Sequence, residues 1–279
     1  FVGDDEMEKL LAKGGDWLAN HPEKEEITRR YLKFRPNLYR EALSRLVREE
    51  HPAEASDGEK PPGDRAEEVL EKPLSLHEQR IGAVLAALRS SGARRVLDLG
   101  CGEGKLLREL LKDKQFEEVV GMDVAIRSLE TARDRLHLDR LPERQAARIK
   151  LIHGSLTYRD RRLEGFDAAA VVEVVEHLDP PRLASFERAV FEFARPGTVV
   201  LTTPNREYNV TWENVGIDRL RHPDHRFEWT RNEFRGWAEG IADRFGYAVR
   251  FLPVGLVDEA LGPPTQMAVF NRLAVRSNS

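Results

Sequence analysis

Cysteine is almost missing from this chain: Cys101 is the only one in 279 residues. No intrachain disulfide can form, which fits a reducing cytoplasm, the expected location. Long apolar runs are missing too. No stretch reaches the roughly 18 apolar residues of a membrane-spanning helix, so no membrane association is expected. The opening Phe-Val-Gly-Asp-Asp-Glu lacks the basic-then-apolar layout of a signal peptide and has no initiating Met. The chain therefore reads as a fragment or a processed form. A surplus of positive charge is also lacking, since the formal net charge is −4. That excludes a long basic nucleic-acid groove, which needs many phosphate-neutralising Lys and Arg. It leaves open a grip on one end of a strand. No internal repeat is evident.

What is present divides into three. Residues 1–50 carry apolar side chains at helical spacing, among them Leu10, Leu11, Trp17, Ile27, Tyr31 and Leu46. They read as a helical appendage with charged outer faces. Residues 51–73 lose large apolar side chains and gain Pro, Gly and charge, the composition of a linker or mobile loop. Residues 74–279 then alternate. Ser75 and Glu78 have capping-box spacing, which predicts a helix over 75–91. Strands are predicted at 95–99, 117–122, 149–153, 166–172 and 198–202, with helices over 105–112, 125–137 and 181–194. An irregular stretch, 203–229, leads to a helix over 230–245 and strands at 247–253 and 266–273. Alternating strands and helices imply an α/β fold with a mainly parallel, seven-stranded sheet covered on both faces. Such sheets bind ligands beyond the carboxyl ends of their strands, where the strand order reverses.

Two stretches stand at those strand ends. Asp98-Leu99-Gly100-Cys101-Gly102-Glu103-Gly104 follows the first strand. Its glycines allow a tight turn and close approach of a ligand to the backbone. Its spacing matches neither the phosphate loop nor the Gly-x-Gly-x-x-Gly dinucleotide fingerprint. Asp123 ends the second strand about 20 residues on, where a carboxylate can accept hydrogen bonds from ribose hydroxyls. The fourth strand ends in Glu173-Val174-Val175-Glu176-His177. In a helix or turn, positions three and four apart share a face. Glu173, Glu176 and His177 could then converge, and two oxygen ligands with one nitrogen ligand suit Mn²⁺, Mg²⁺ or Zn²⁺. Several other residues carry two readings each. Asn205, Tyr208 and Asn209 suit turn chemistry or contact with a terminal nucleotide. Gln79 and Arg80 suit a helix surface or contact with cofactor or RNA. Arg219, Arg221, Arg226 and Arg231 suit a charged loop or a phosphate backbone. Phe227 and Trp229 suit core packing or base stacking. The arginines of 127–148 alternate with acids and read as a solvated helix face. Cys101 reads as a small buried residue.

The Gly-rich stretch resembles the first motif of S-adenosylmethionine-dependent methyltransferases of class I, with their Rossmann-like fold. The resemblance implies S-adenosylmethionine as cofactor, bound by Asp98, Gly100, Gly102, Asp123, Ser155 and Leu156, with the adenine near His153-Gly154-Ser155-Leu156. Three further motifs narrow it. These are Glu-Val-Val-Glu-His-Leu-Asp at 173–179, Thr202-Thr203-Pro204-Asn205-x-Glu207-Tyr208-Asn209, and His222-Pro223-Asp224-His225-Arg226-Phe227-Glu228-Trp229. Together, over about 74–273, they resemble the RNA 3′-terminal ribose 2′-O-methyltransferases. Residues 4–50 resemble the segment preceding the methyltransferase domain in the bacterial, RNA-repair branch, so a ligase-stimulating half is expected upstream of residue 1.

The resemblance implies a divalent metal, Mn²⁺ favoured and Mg²⁺ possible, held by Glu173, Glu176, His177 and His225. His225 fits the family pattern His-Lys/Arg-Phe-Glu-Trp; His222, three residues away, competes for the fourth place. Two carboxylates and two imidazoles leave about two positions open on an octahedral ion, enough for the vicinal hydroxyls of a terminal ribose. Glu176, His177 and His225 are the implied catalytic residues, with one imidazole taking the hydroxyl proton. The implied partners are an RNA 3′ end with free 2′,3′-hydroxyls and a polynucleotide kinase–phosphatase–ligase. Two other readings remain: a small-molecule O-methyltransferase, and a non-catalytic scaffold that activates a repair ligase.

Overall fold

The computed structural model describes residues 74–211 and 220–274. The helices expected in 4–50, the linker at 51–73 and residues 212–219 of the irregular stretch, including Arg219, lie outside the described residues. Helix α1 (Leu76–Ser90) begins with the expected capping box, Ser75 and Glu78 each bonding the other's backbone N–H. Strand β1 (Arg95–Leu99), helix α2 (Lys105–Lys112), β2 (Glu118–Asp123) and α3 (Ile126–Arg135) follow, then β3 (Ile149–His153) and β4 (Ala168–Val172). After β4 come α4 (Leu183–Glu187), β5 (Thr198–Pro204), α5 (Arg231–Phe245), β6 (Tyr247–Val254) and β7 (Thr265–Arg272).

The strands form one seven-stranded sheet in the order β3-β2-β1-β4-β5-β7-β6. The pairings from β3 through β5 are parallel, while β7 runs antiparallel to both β5 and β6. β1, β2 and β4 bury nearly every residue, as strands covered on both faces must, whereas β3, at the sheet edge, buries only Ile152. One core layer joins Leu97, Val171, Phe191, Phe234 and Phe270. The other joins Val84, Leu88, Leu107, Val119 and Val269 on the opposite face. The strand order reverses between β1 and β4, so their carboxyl ends open the crevice in which such sheets bind ligands.

Three differences from the sequence expectation have physical causes. The helix expected over 181–194 is a 3₁₀ turn, then α4, then a π-helix at Arg188–Ala194. The wider π turn lets Phe186, Val190 and Phe191 all face the core, where Phe191 meets Phe270 at 5.0 Å. β4 starts at Ala168, later than Phe166, which instead packs under the Arg95 guanidinium at 4.7 Å. Arg148 is no solvated helix residue. It donates to the carbonyl of Leu111 in the last turn of α2 and to those of Asp113 and Phe116 just beyond it.

Helix α5 has a second full capping box, Thr230 with Glu233. Its outer end is tied to buried Glu187 by Trp237 Nε1 at 2.8 Å and Arg244 at 2.6 Å. Replacing Thr230 with Ala removes the acceptor for the Glu233 N–H and should cost about 1 kcal/mol. Urea denaturation followed by far-ultraviolet circular dichroism measures this; an unchanged midpoint would show that the tertiary ties alone hold the helix start.

Candidate active site

The Gly-rich turn after β1 is shaped by backbone conformation before any side chain. Gly100, Gly102 and Gly104 all have positive φ, at 79°, 50° and 76°. At Gly100 a Cβ would also lie 2.6 Å from Val174 Cγ2, so the turn presses against the segment that follows β4. Asp123 Oδ2 accepts the Gly102 N–H at 2.8 Å, and its Oδ1 accepts the Ala125 N–H at 2.8 Å. The two strand ends are thereby locked together. Asp98 sits behind this turn, 2 % exposed, and its Oδ2 has no hydrogen-bond partner. Burial, with the Asp123 charge second, pushes its carboxyl up to about 7.

A cleft of about 650 Å³ opens in front of the turn. Gly100, Asp123, Ser155 and Leu156 line it, and so do Glu173, Val174 and His177. Of the six residues expected to bind cofactor, Asp98 and Gly102 stand behind the lining. The volume suits a small-molecule site. The Asp123 carboxylate and the open glycine turn at Gly100, both in the lining, are polar and shape features that a nucleoside-bearing cofactor would satisfy.

Beyond β4 the chain forms a 3₁₀ turn, Val175–His177, where a helix or turn was expected. Glu173 precedes that turn with φ 54°, a left-handed conformation uncommon outside glycine. One ligand atom each from Glu176, His177 and His225 lies within 4.8 Å of the others. Glu173, expected as a fourth ligand, stands outside that group and pairs with Arg80 instead. Its Oε2 pairs with Arg80 at 3.1 Å, and Arg80 also donates to Thr265 Oγ1 at 3.0 Å. Glu176 is fully buried and accepts from Thr203 Oγ1 at 3.2 Å. The remaining oxygens, Glu173 Oε1 and Glu176 Oε1, are buried without a hydrogen-bond partner.

Burial raises the pKa of Glu173, opposed chiefly by Arg80. Burial raises that of Glu176 further, with Glu173 adding to it. His177 is shifted down, first by burial and then by His225. Orphaned carboxylate oxygens beside two imidazoles are the donor set that a divalent cation would satisfy. His222 is exposed, and its ring centroid lies 5.6 Å from His225 and 6.3 Å from His177. Its Nδ1 accepts the Asp224 N–H at 3.2 Å. Among the described residues, the ligand group includes His225 and not His222.

The other residues with two readings make the following contacts. Asn205 is buried and donates to the carbonyls of Leu261 and Pro263, both at 2.8 Å. Asn209 is buried against Glu228. Arg221 donates to Asn209 Oδ1 and to the carbonyls of Asn205 and Pro264. Arg231 pairs with Glu207 at 2.6 Å. Arg226 stays exposed, 3.6 Å from Asp179. Gln79 folds back on the Leu74 carbonyl, and Phe227, Trp229 and Trp237 pack in series at 4.7 and 4.6 Å. Cys101 is buried as expected. Sequence reasoning passed over Glu228, whose carboxylate meets His225 Nδ1 at 2.5 Å. The signal available was the His-x-x-Glu spacing within 225–228.

Fold and cleft together define a class I S-adenosylmethionine-dependent methyltransferase. A model of the methyltransferase domain matches residues 31–249. The methyltransferase domain of bacterial CtHen1-C is 56% identical, with a TM-score of 0.67, over 72% of this chain and 100% of that one. The chain belongs to the Hen1 family of methyltransferases. A second family model, the "RNA repair, ligase-Pnkp-associating, region of Hen1", matches residues 1–47. That match falls on the segment that the sequence likened to the region preceding the methyltransferase domain in the bacterial branch. The "Small RNA 2'-O-methyltransferase" of Rattus norvegicus is 37% identical over 214 residues, which is 74% of this chain and 54% of that protein. The structure of the small RNA methyltransferase HEN1 is 30% identical with a TM-score of 0.65, over 74% of this chain and 27% of that one. The chain spans about half the length of the vertebrate relatives it matches. Among the described residues, no helix is long and apolar enough to cross a membrane.

Asp98 gives a test that is independent of any ligand. Its folded pKa, about 7, lies above the unfolded value, so its contribution to stability is complete below about pH 4 and is lost as pH rises through 7. Asp98→Asn lacks this loss. Without cofactor, its urea midpoint should gain on that of the wild type between about pH 5 and pH 8. A difference that does not vary with pH would mean that Asp98 is solvated.

Proposed function

We propose that this chain transfers a methyl group from S-adenosylmethionine to the 2′-hydroxyl of the 3′-terminal ribose of RNA, using a divalent metal, with Mn²⁺ favoured over Mg²⁺. One observation carries the reading: four of the residues expected to seat the cofactor, Gly100, Asp123, Ser155 and Leu156, line a single cleft with two of those expected to hold the metal, Glu173 and His177. Asp123 faces that cleft with a carboxylate suited to ribose hydroxyls, and Ser155 and Leu156 form the adenine edge. Glu176, His177 and His225, with Glu173 alongside, would hold the ion. Bound there, a divalent ion lowers the pKa of a ribose hydroxyl and orients it.

The protein's own residues prepare this chemistry. The Asp224 carbonyl holds His177 Nδ1 at 3.3 Å, and Glu228 holds His225 Nδ1. Each imidazole thus presents Nε2 to the site. The lowered pKa of His177 keeps its ring neutral, with a lone pair able to coordinate or to receive the hydroxyl proton. Gly100 and Val174 bring the cofactor turn against the 173–177 segment, so donor and acceptor are held as neighbours. Substrate choice follows from the same site: a terminal ribose offers two adjacent hydroxyls, and a 3′-phosphate or a 3′-deoxy end does not. The match of residues 1–47 to a ligase- and Pnkp-associating region supports a place beside a polynucleotide kinase–phosphatase–ligase, with methylation preceding ligation of broken ends.

The decisive experiment is methyl transfer from labelled S-adenosylmethionine to matched short RNAs, with Mn²⁺ or with EDTA. Label should enter only the end bearing both hydroxyls, and only with metal. Metal-independent labelling would remove the ion from the mechanism. No labelling of any RNA would redirect the site to a small-molecule acceptor. Glu176→Ala or His177→Ala should abolish transfer while calorimetry finds S-adenosylmethionine affinity within a few fold of wild type. Loss of cofactor binding in these variants would assign the motif to structure.

A further inference from the structure

Glu228 is a fully buried carboxylate outside the cleft, and every contact it makes restrains it. Its Oε1 accepts the backbone N–H of Arg221 at 2.7 Å and meets His225 Nδ1 at 2.5 Å. Its Oε2 accepts Asn209 Nδ2 at 2.5 Å. Its neighbour Trp229 is bridged to Asn205 at the end of β5. The carboxylate is therefore held from the turn after β5, from the 220–225 loop and from its own backbone. It cannot swivel to follow His225; His225 must conform to it.

This bond has two consequences for the ring. An N–H at Nδ1 is required to donate to a carboxylate, so the lone pair is left on Nε2. A short hydrogen bond to a fixed acceptor also sets the rotation of the ring about its own axis. The imidazole of His177, 4.8 Å away and nearly perpendicular at 83°, bounds the space on the other side. A carboxylate behind an imidazole also makes the far nitrogen a better donor to a cation.

We infer that Glu228 is a positioning residue of the proposed metal centre: through His225 Nδ1 it fixes the tautomer and aim of the imidazole and thereby sets the affinity of the site for Mn²⁺. This rests on the metal reading above. It assigns a role to the Glu of the His-Arg-Phe-Glu-Trp run, and it explains why Asn209, at the end of the Thr-Pro-Asn-x-Glu-Tyr-Asn motif, is buried: Asn209 holds the residue that aims the ligand.

The test is Mn²⁺ binding to the 279-residue chain, followed by electron paramagnetic resonance without RNA, for wild type, Glu228→Gln and Asn209→Ser. Glu228→Gln should weaken Mn²⁺ by roughly 10–100-fold and leave S-adenosylmethionine affinity within about twofold. In methyl transfer it should raise the Mn²⁺ concentration giving half the maximal rate, with kcat recovering at saturating Mn²⁺. Asn209→Ser keeps the carboxylate and loosens it, so a smaller loss of Mn²⁺ affinity should follow. That variant decides the matter if Glu228→Gln does not fold. Unchanged Mn²⁺ affinity in a folded variant would overturn the inference. So would a parallel loss of Mn²⁺ and cofactor binding, which assigns Glu228 to packing. Failure of the wild type to bind Mn²⁺ would instead overturn the metal reading itself.

Discussion

Two carboxylates, Glu173 and Glu176, are taken out of water at the carboxyl end of β4, and their surroundings are arranged to bear the cost. Desolvating an ionised carboxylate costs several kcal/mol unless charge or hydrogen bonds replace the lost water. The protein supplies only part of that replacement. Arg80 reaches from α1 to one oxygen of Glu173, and Thr203 on β5 reaches one oxygen of Glu176. One oxygen of each remains without a partner. An apolar pair of the same size would be the cheaper core. Incomplete compensation at the switch point of a parallel sheet marks the place where the fold trades stability for a binding capacity.

The neighbouring loops hold this arrangement in register. Asn205, Arg221, Arg231 and Asn209 spend their side chains on backbone carbonyls and on buried acids rather than on the cleft surface. Their targets include Ala260, Leu261, Pro263 and Pro264, in the turn between β6 and β7. The antiparallel end of the sheet is thereby tied to the loop that carries His225. A histidine supplied by a loop is as well placed as that loop is fixed, and here both β5 and β7 fix it. The cofactor side achieves the same end through backbone alone, since Asp123 bonds the Gly102 N–H across the two strand ends.

Much of this was legible without coordinates, and the reasons differ by element. β1 ends where its apolar run and flanking turn residues place it, because a strand buried on both faces leaves a continuous signal. Both long helices announce their starts through capping boxes, a local device that needs no tertiary information. The segment 181–194 was misjudged because the choice between α and π turns lies with Phe186 and Phe191 meeting a core that the sequence does not display. Arg148 was misjudged, and Arg221 left with two readings, for a related reason. Arg148 and Arg221 bury their guanidinium groups on carbonyls far along the chain, and composition cannot distinguish them from solvated neighbours.

The sequence by itself determined the alternation of strand and helix, the two strand ends that bear chemistry, and the residue types gathered there. Those follow from local periodicity, from glycine at positive φ and from the donor chemistry of Glu and His, all properties of a few adjacent residues. Only the tertiary structure decided that Glu173 turns toward Arg80 while Glu176, His177 and His225 draw together, and that Glu228 stands behind His225. Those outcomes depend on which side chains meet across β4, β5, α1 and the 220–229 loop. Burial then decides which charges are compensated and which are left with an open side.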